Sequence, residues 1–531
     1  MPSLDFHEVA ALPRLAWLAV VERGAARARV FHGSAVECRD RWMVEGVWDG
    51  DFAAGGFHDS PHFFGSGIRV DGDRLLFVPS SALVDRVLYC QDRGRVVVSN
   101  SLVLLLAFTG ACLDPAHDYR AEATAIRKGA GAYHREFVVV HPEIPSFFQV
   151  YDECLVVDRD GVTFDAMRRA SPPVQSYERY RAAVAEALLR LKGNYSSPDR
   201  RVPMTAFLTV SSGYDSAAAA TLVRDLGIET CFTARRSNSY LPRWLSPSSV
   251  VDDGTPIAAA LGLDVTALDV RRSQVTEDEI FFLAAGCPQP ALAFHSMTRL
   301  LERRPGIGVL FTGFQGDEVW DVLWEQPYHR QGTLRGDGAA LGLSEIRLKS
   351  GFINVAVPAV GARRIRDVAA LGSASDMEPW RLHDAYDRPV PRRLVETAGI
   401  PRGSFARRKK AVVHAYAYPV NAALRCAFFR WLRERRRLTP AFVYLHVALN
   451  RVLFVLVRSP LALWLRVFRP APRHRPPTPH VFLWKGVDLP GLMFQWAAES
   501  LAARLVPALE GADATRQPER SRPVRHAPVA R

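Results

Sequence analysis

The chain has 531 residues, 48% of them apolar, which is too long for one ordinary core and too balanced for a disordered or membrane-embedded chain, so two or three globular domains are expected. Its seven cysteines (Cys38, Cys90, Cys112, Cys154, Cys231, Cys287, Cys426) are scattered without a Cys-x-x-Cys pair, which argues against a zinc site or disulfide framework and favours a reducing cytoplasm. The formal charge of +13 is uneven: residues 401–531 carry 24 Lys+Arg against 6 Asp+Glu, whereas residues 1–400 carry 44 against 49. The positive field therefore belongs to the C-terminal quarter and suits an anionic surface, whether a membrane face, a polyanionic substrate or nucleic acid.

In chain order, the first residues do not read as a secretory leader, because Asp5 and Glu8 precede the first arginine and Pro13 and Arg14 break the apolar run. Residues 1–172 read as a mainly antiparallel domain. Short β-like runs recur in Leu75-Leu-Phe-Val78, Arg95-Val-Val-Val98, Phe137-Val-Val-Val140, Phe147-Phe-Gln-Val150 and Leu155-Val-Val157, with hairpin turns at Asp71-Gly72 and Asp160-Gly161. The pattern changes at Ser176. Residues 177–191 have apolar side chains at helical spacing, and strands predicted at 207–210, 230–234, 264–270 and 307–312 alternate with helices at 216–226, 253–261, 277–285 and 292–303. Such alternation predicts an α/β domain over residues 173–425, a parallel sheet with helices on both faces.

Residues 426–508 read as an apolar and basic helical extension, and residues 509–531 as a polar, disordered tail. In the extension, Phe442-Val-Tyr-Leu-His-Val-Ala-Leu-Asn450, Val452-Leu-Phe-Val-Leu-Val457 and Leu461-Ala-Leu-Trp-Leu465 are interrupted by Arg451, Arg458, Pro460 and Arg466, so no apolar run reaches the roughly 18 residues of a spanning helix. Two readings stay open: helices packed on the α/β core, or an Arg-flanked segment lying on a membrane. The Pro- and Arg-rich residues 469–479 read as a linker.

Two strand-to-helix turns carry the chemistry. Phe207-Leu-Thr-Val-Ser-Ser-Gly-Tyr-Asp-Ser216 runs from a buried strand into an alanine-rich helix through a small, hydroxylated turn. That is how an anion cradle is built, from helix-start N–H groups, small residues and the helix dipole. A plain N-capped helix is the alternative, since Ser and Asp are ordinary caps. Val309-Leu-Phe-Thr-Gly-Phe-Gln-Gly-Asp-Glu318 repeats the design with two glycines and paired acids. Two carboxylates facing a phosphate loop repel it and each other unless a cation such as Mg²⁺ bridges them.

These stretches resemble a known family. Ser211-Ser-Gly-Tyr-Asp-Ser216 is similar to the pyrophosphate loop of N-type ATP pyrophosphatases, and Thr312-Gly-Phe-Gln-Gly-Asp-Glu318 to the acidic motif of their asparagine synthetase branch. Val251-Asp-Asp-Gly-Thr-Pro-Ile-Ala-Ala-Ala-Leu-Gly-Leu263 resembles that branch's acidic turn and helix. Asp387-Arg-Pro-Val-Pro-Arg-Arg-Leu-Val-Glu396, followed by Ile400-Pro-Arg402 and Ala406-Arg-Arg-Lys-Lys410, resembles the stretch that delivers a catalytic lysine. The resemblance implies a HUP-like domain in which ATP activates a carboxylate, pyrophosphate leaves and a nitrogen nucleophile takes the acyl group from the adenylate. It assigns pyrophosphate to Ser211, Ser212, Gly213, Tyr214, Asp215 and Ser216, and extends the nucleotide cradle to Gly313 and Gly316. Adenine falls around residues 232–235, Thr233 among them, and Mg²⁺ on Asp215 and Asp317. Lys409, with Lys410 as the alternative, would neutralise charge on the adenylate.

Three departures shape the expectation. Ser212 replaces a glycine, adding a Cβ where backbone approaches phosphate. Phe314 stands where relatives have an acid or a tyrosine and cannot move a proton, so Glu345 in Leu343-Ser-Glu-Ile-Arg347, the substrate or the pyrophosphate must accept it. Residue 2 is Pro where glutamine-dependent members expose a cysteine. Because Val87-Leu-Tyr-Cys-Gln-Asp-Arg-Gly-Arg-Val-Val-Val-Ser-Asn-Ser101 resembles the late hairpin of the family's glutaminase domain, the first domain is expected to be a degenerate Ntn-like, class II glutamine amidotransferase-like sandwich.

The function expected is an amide-forming ligase using ATP and Mg²⁺ on a small-molecule or peptide carboxylate, with ammonia or an amine as nitrogen donor. A cytoplasmic location is expected, with peripheral contact at the inner membrane face through the basic quarter as an option, and a homodimer as another. The alternatives are an N-type pyrophosphatase acting on tRNA and an ATP-binding scaffold with weakened catalysis.

Overall fold

A computed structural model describes residues 2–22, 27–166, 173–236, 251–269, 274–288, 292–321, 335–383, 387–405, 417–457 and 487–512. It is an α/β structure with a mixed, mostly antiparallel sheet, an antiparallel sheet facing it, and a separate all-parallel sheet. Strands β1 (Ser3–Glu8), β2 (Trp17–Glu22), β3 (Arg27–His32), β4 (Glu37–Arg39), β5 (Trp42–Trp48), β6 (Phe63–Asp71), β7 (Arg74–Val78), β8 (Val87–Asp92) and β9 (Arg95–Ser99) precede helix α1 (Leu102–Thr109). β10 (Glu136–Val138), β11 (Ser146–Val150), β12 (Glu153–Val157) and β13 (Val162–Ala166) follow. They form a seven-stranded sheet ordered β1-β3-β2-β9-β8-β11-β10 and a six-stranded sheet ordered β13-β12-β7-β6-β5-β4.

Period-two alternation builds the sandwich. In β2, Trp17, Ala19 and Val21 join Ile68, Val70, Leu75 and Phe77 between the sheets, while Leu18 and Val20 face the cluster that contains α1. The Asp71-Gly72 turn forms as predicted: Asp71 pairs with Arg74 across it and Gly72 takes φ +60°. Helix α1 has no polar face at all, all eight of its residues being buried, so it belongs inside the molecule. Ser101 caps its start, and Gly110, at φ 76°, ends it in the left-handed conformation that a glycine adopts without strain.

The parallel sheet begins after helix α2 (Tyr177–Tyr195). β14 (Met204–Thr209), helix α3 (Tyr214–Val223), β15 (Ile228–Thr233), helix α4 (Thr255–Ala260), β16 (Val265–Ala267), helix α5 (Glu277–Ala284), helix α6 (His295–Glu302), β17 (Ile307–Thr312), the short helix α7 (Gly316–Val319), helix α8 (Ser344–Ser350) and β18 (Phe352–Ala356) succeed one another. The five strands lie in the order β16-β15-β14-β17-β18, all neighbours parallel. The chain builds outward from β14 in one direction and then from β17 in the other. The switch falls between these two strands, where parallel sheets place ligands beyond the strand C-termini.

Helices α9 (Pro389–Thr397), α10 (Ala422–Arg436), α11 (Pro440–Val457) and α12 (Leu489–Ala512) complete the described chain. α12 is part of the core and not an appendage: Phe494 packs on Tyr119, and Trp496 on Phe281 and Phe428. Arg504 bonds Glu277 and Asp278 at the start of α5 (2.7 and 3.0 Å). The linker 469–479 lies outside the described residues, as does the tail predicted at 509–531 apart from residues 509–512, which are the helical end of α12. Among the described residues no helix is long and apolar enough to cross a membrane.

The sandwich and the parallel sheet are joined through buried charge. Arg347 of α8 donates from two nitrogens to Glu45 of β5 (2.7 and 2.9 Å) and from Nε to Asp85. Glu45 also accepts from Ser66 (2.6 Å) and Asn100 (3.2 Å). Burial drives the Asp85 carboxyl upward and Arg347 opposes that shift, while the two carboxylates hold Arg347 charged against its own burial. Replacing Arg347 by Met leaves two enclosed carboxylates without their cation. Denaturant unfolding should show a loss of about 3–5 kcal/mol, recovered in part when Glu45→Gln and Asp85→Asn are added.

Candidate functional site

Parallel pairing brings two turns together. Leu208 of β14 is in register with Phe311 of β17, so both strands end at one edge of the sheet and their turns into α3 and α7 face each other. They meet more closely than side chains allow. A Cβ on Gly313 would lie 2.6 Å from Ser216 N, and one on Gly316 would lie 2.6 Å from Asp215 Cβ and Cγ. A third turn closes in, for a Cβ on Gly254 would lie 2.7 Å from the Val210 carbonyl. Gly313 and Gly316, read from the sequence as parts of a nucleotide cradle, are thus required first by the fit of loop against helix.

The 211–216 loop is internally bonded. Ser216 Oγ accepts from Ser211 N (3.0 Å) and lies 2.9 Å from Ser211 Oγ, which accepts from Gly213 N (3.2 Å). Ser212 donates from N and Oγ to Asp252 Oδ1 (3.1 and 2.7 Å). The atoms that the glycine-to-serine departure adds therefore have a structural partner. Thr233, at the end of β15, accepts from Gly254 N (3.0 Å) and ties the third turn to the sheet. Gly213 begins α3 without a side-chain cap, which leaves the helix start open to an anion.

Charge surrounds this opening. Asp215 accepts a hydrogen bond from Arg388, a fully buried arginine whose Nη2 is also 3.8 Å from Asp321. Arg388 is set by a tight turn in which Asp387 accepts from Arg381 (3.2 Å), Leu382 N (3.0 Å) and His383 N (3.2 Å). One turn along α9, Arg392 lies over the Tyr214 ring at 5.1 Å, and Tyr214 stacks on Phe405 at 5.0 Å. Arg392 is 1% exposed, and its Nε and Nη2 have no hydrogen-bond partner. On the facing turn, Arg335 Nη2 is 3.9 Å from Asp317 and bonds Glu318 through its N and Nε (2.8 and 3.1 Å). Burial pushes the Glu318 carboxyl up to about 8 against the pull of Arg335.

Two aspartates on adjoining turns suit a Mg²⁺ ion that takes its other oxygens from phosphate and water. Among the described residues no third His, Cys, Asp or Glu joins them in a cluster that could hold a metal by itself. Asp215 and Asp317 would hold the ion, and each lies beside an arginine with which the ion would compete.

Glu345 is not brought to this edge. Its carboxylate accepts from Ser101 Oγ (2.7 Å) and Leu102 N (2.9 Å) at the start of α1, where it complements the helix dipole, and burial raises its proton affinity. A carboxylate held by these two donors caps a helix, and at 3% exposure it is buried there. Lys409 and Lys410 lie outside the described residues.

Several residues went unread in the sequence. Gln315, at φ +67°, donates from Nε2 to Ala82 O (2.5 Å) and Arg335 O (3.1 Å), pinning the acidic turn to the first sandwich. Asn354 of β18 accepts from Thr312 Oγ1 (3.1 Å) at the end of β17. Arg388 and Arg392 stood inside a quoted stretch, and their four-residue spacing could have marked one side of a helix. No protein-family model matches the chain, and no curated protein matches it.

Proposed function

We propose that the chain is an ATP-dependent, AMP-forming ligase of the asparagine synthetase kind, joining a substrate carboxylate to ammonia or an amine. The observation that carries this reading is the pairing of two aspartate-bearing turns, Asp215 and Asp317, across the switch point of a parallel sheet. In this reading residues 173–425 form the HUP-like ATP-pyrophosphatase domain and residues 1–172 a degenerate Ntn-like domain.

The carboxylate oxygen attacks the α-phosphorus of ATP. An O–P bond forms, the bond to the bridging oxygen breaks, and pyrophosphate leaves. The amine nitrogen then attacks the acyl carbon, AMP leaves with the carboxylate oxygen, and the nitrogen loses one proton. The uncapped start of α3 and the guanidinium groups of Arg388 and Arg392 receive the charge that develops on pyrophosphate. By the family resemblance Lys409 or Lys410 acts on the adenylate. Asp215 and Asp317 would hold a Mg²⁺ ion, which would supply positive charge toward the leaving pyrophosphate. With Phe314 inert and Glu345 capping α1, the departing pyrophosphate or the substrate itself takes the amine proton.

Nitrogen does not come from glutamine in this reading. The Cys38 thiol is pushed up to about 12 by burial and burial raises the Cys90 thiol as well, so neither is a ready nucleophile. The ion pairs at Asp215 and Asp317 favour one rival, a scaffold that binds ATP without turnover, and pyrophosphate exchange separates the two.

With a library of carboxylates, the protein should catalyse exchange of labelled pyrophosphate into ATP, and its complete absence would establish the scaffold. Asp317→Asn should lower exchange by at least about a hundredfold at unchanged melting temperature, the scale of losing one charge-stabilising group. Glu345→Ala should instead reduce stability by about 1–3 kcal/mol, the cost of unsatisfied buried donors. It should leave the pH profile of exchange unmoved, and a displaced profile would restore Glu345 as the proton acceptor. Glutamine should fail to replace ammonia, with no glutamate released.

A further inference from the structure

Helix α11 is built inside out. A helix at a protein surface ordinarily buries its apolar stripe and gives its polar side to water. Here His446 and Asn450 are buried, at 2% and 3% exposure, while Leu445 and Val452 are 57% and 55% exposed. Ala441, Leu445, Ala448 and Val452 repeat at intervals of four, three and four residues, which sets them along one outward stripe flanked by the exposed Phe442 and Tyr444. No charged residue occurs from 440 to 450.

The inward side does not relieve the inversion. Asn450 Nδ2 donates to His446 O within the helix (2.9 Å), and burial holds the His446 imidazole below its ordinary proton affinity. His446 and Asn450 lie inside beside the buried Val443, and a continuous apolar stripe lies outside. Such a stripe is stable at a surface when something other than water covers it.

Charge identifies the cover. Over residues 435–487, 53 positions, there are ten Lys+Arg and no Asp or Glu. The last turn of α10, immediately before α11, carries the exposed Arg433 and Arg435 on either side of Glu434, with Arg435 3.8 Å from Glu499 and Arg436 turned back onto the Pro115 carbonyl. An apolar helical stripe bordered by arginines is the composition of a helix that lies in the headgroup layer of an anionic bilayer. A second copy of the chain fits less well. Along the sequence the stripe is flanked by cations and no acids, with Arg437 ahead of Ala441 and Arg451 next to Val452, so pairing with a second copy brings like charges together.

We propose that the outward stripe of α11, with the arginine turn before it, docks this protein on a membrane surface rich in anionic phospholipid, the helix lying along the surface. The site at residues 211–216 takes no part, so the inference stands apart from the ligase reading.

The test uses the full chain and two vesicle preparations, one of equal parts phosphatidylcholine and phosphatidylglycerol, the other phosphatidylcholine alone. The protein should sediment with the anionic vesicles at least about tenfold more tightly than with the neutral ones, and added salt should weaken it. Leu445→Gln with Val452→Gln should lower the anionic-vesicle affinity by about tenfold or more, because two aliphatic groups no longer enter the interface. Melting temperature and pyrophosphate exchange should not change, and Leu445→Gln alone serves if the pair does not fold. Three results would each overturn the proposal: no sedimentation of the wild type with anionic vesicles, equal sedimentation of the variant, or a wild-type dimer that the variant splits without any vesicle binding.

Discussion

The site depends on one steric constraint, the approach of the β17–α7 turn to the first turn of α3. Gly313 and Gly316 stand where a methyl group would overlap Ser216 N and the Asp215 side chain. Since β14 and β17 are parallel neighbours, their exits are already on one edge, and the missing side chains let the exits touch. Asp215 and Asp317 are thereby held on facing turns. Any larger residue at either glycine forces the two turns apart.

Electrostatics then fixes what the contact has assembled. Arg388 engages Asp215, and Arg335 lies beside Asp317 and Glu318. The first sandwich contributes as well, because Gln315 reaches the Ala82 carbonyl from the acidic turn itself. Helix α8 reinforces the union with two charged residues, Glu345 capping α1 and Arg347 compensating Glu45 and Asp85. The first domain thus has a mechanical role at the site. It supports the back of the turn that carries Asp317, and it buries its own acids against the same helix.

What the sequence made legible was local. The strand 307–312 coincides with β17, the Asp71-Gly72 hairpin forms, and the strand–helix alternation yields the all-parallel sheet, since periodicity and turn chemistry act over a few residues. Partners distant along the chain were hidden. Arg388 is 173 positions from Asp215 and Glu345 is 244 from Ser101, and no spacing rule links such residues. Glu345 is the example: the sequence offers it beside the substrate and the pyrophosphate as a proton acceptor, and its bonds to Ser101 and Leu102 at the start of α1 are invisible from its own stretch. The sequence reads residues 426–508 as helical but leaves open where those helices lie, because the burial of α12 depends on α1 and α5, elements distant along the chain.

Arg392 carries the argument one step further. Its guanidinium is enclosed, Nε and Nη2 find no acceptor, and the face of Tyr214 at 5.1 Å replaces lost hydration only in part, cation–aromatic contacts being worth about 2 kcal/mol when desolvated. An arginine in that position weakens the protein unless an anion is to arrive. Beside it Arg388 is bonded to Asp215, and α3 begins without a side-chain cap. Of the two guanidiniums, Arg388 is matched by Asp215 and Asp321, while Arg392 keeps two donors without an acceptor. On the proposed reading the balance is completed by the pyrophosphate that leaves ATP, so the stability given up at Arg392 becomes attraction for the leaving group, at the stage of the reaction when its charge is developing.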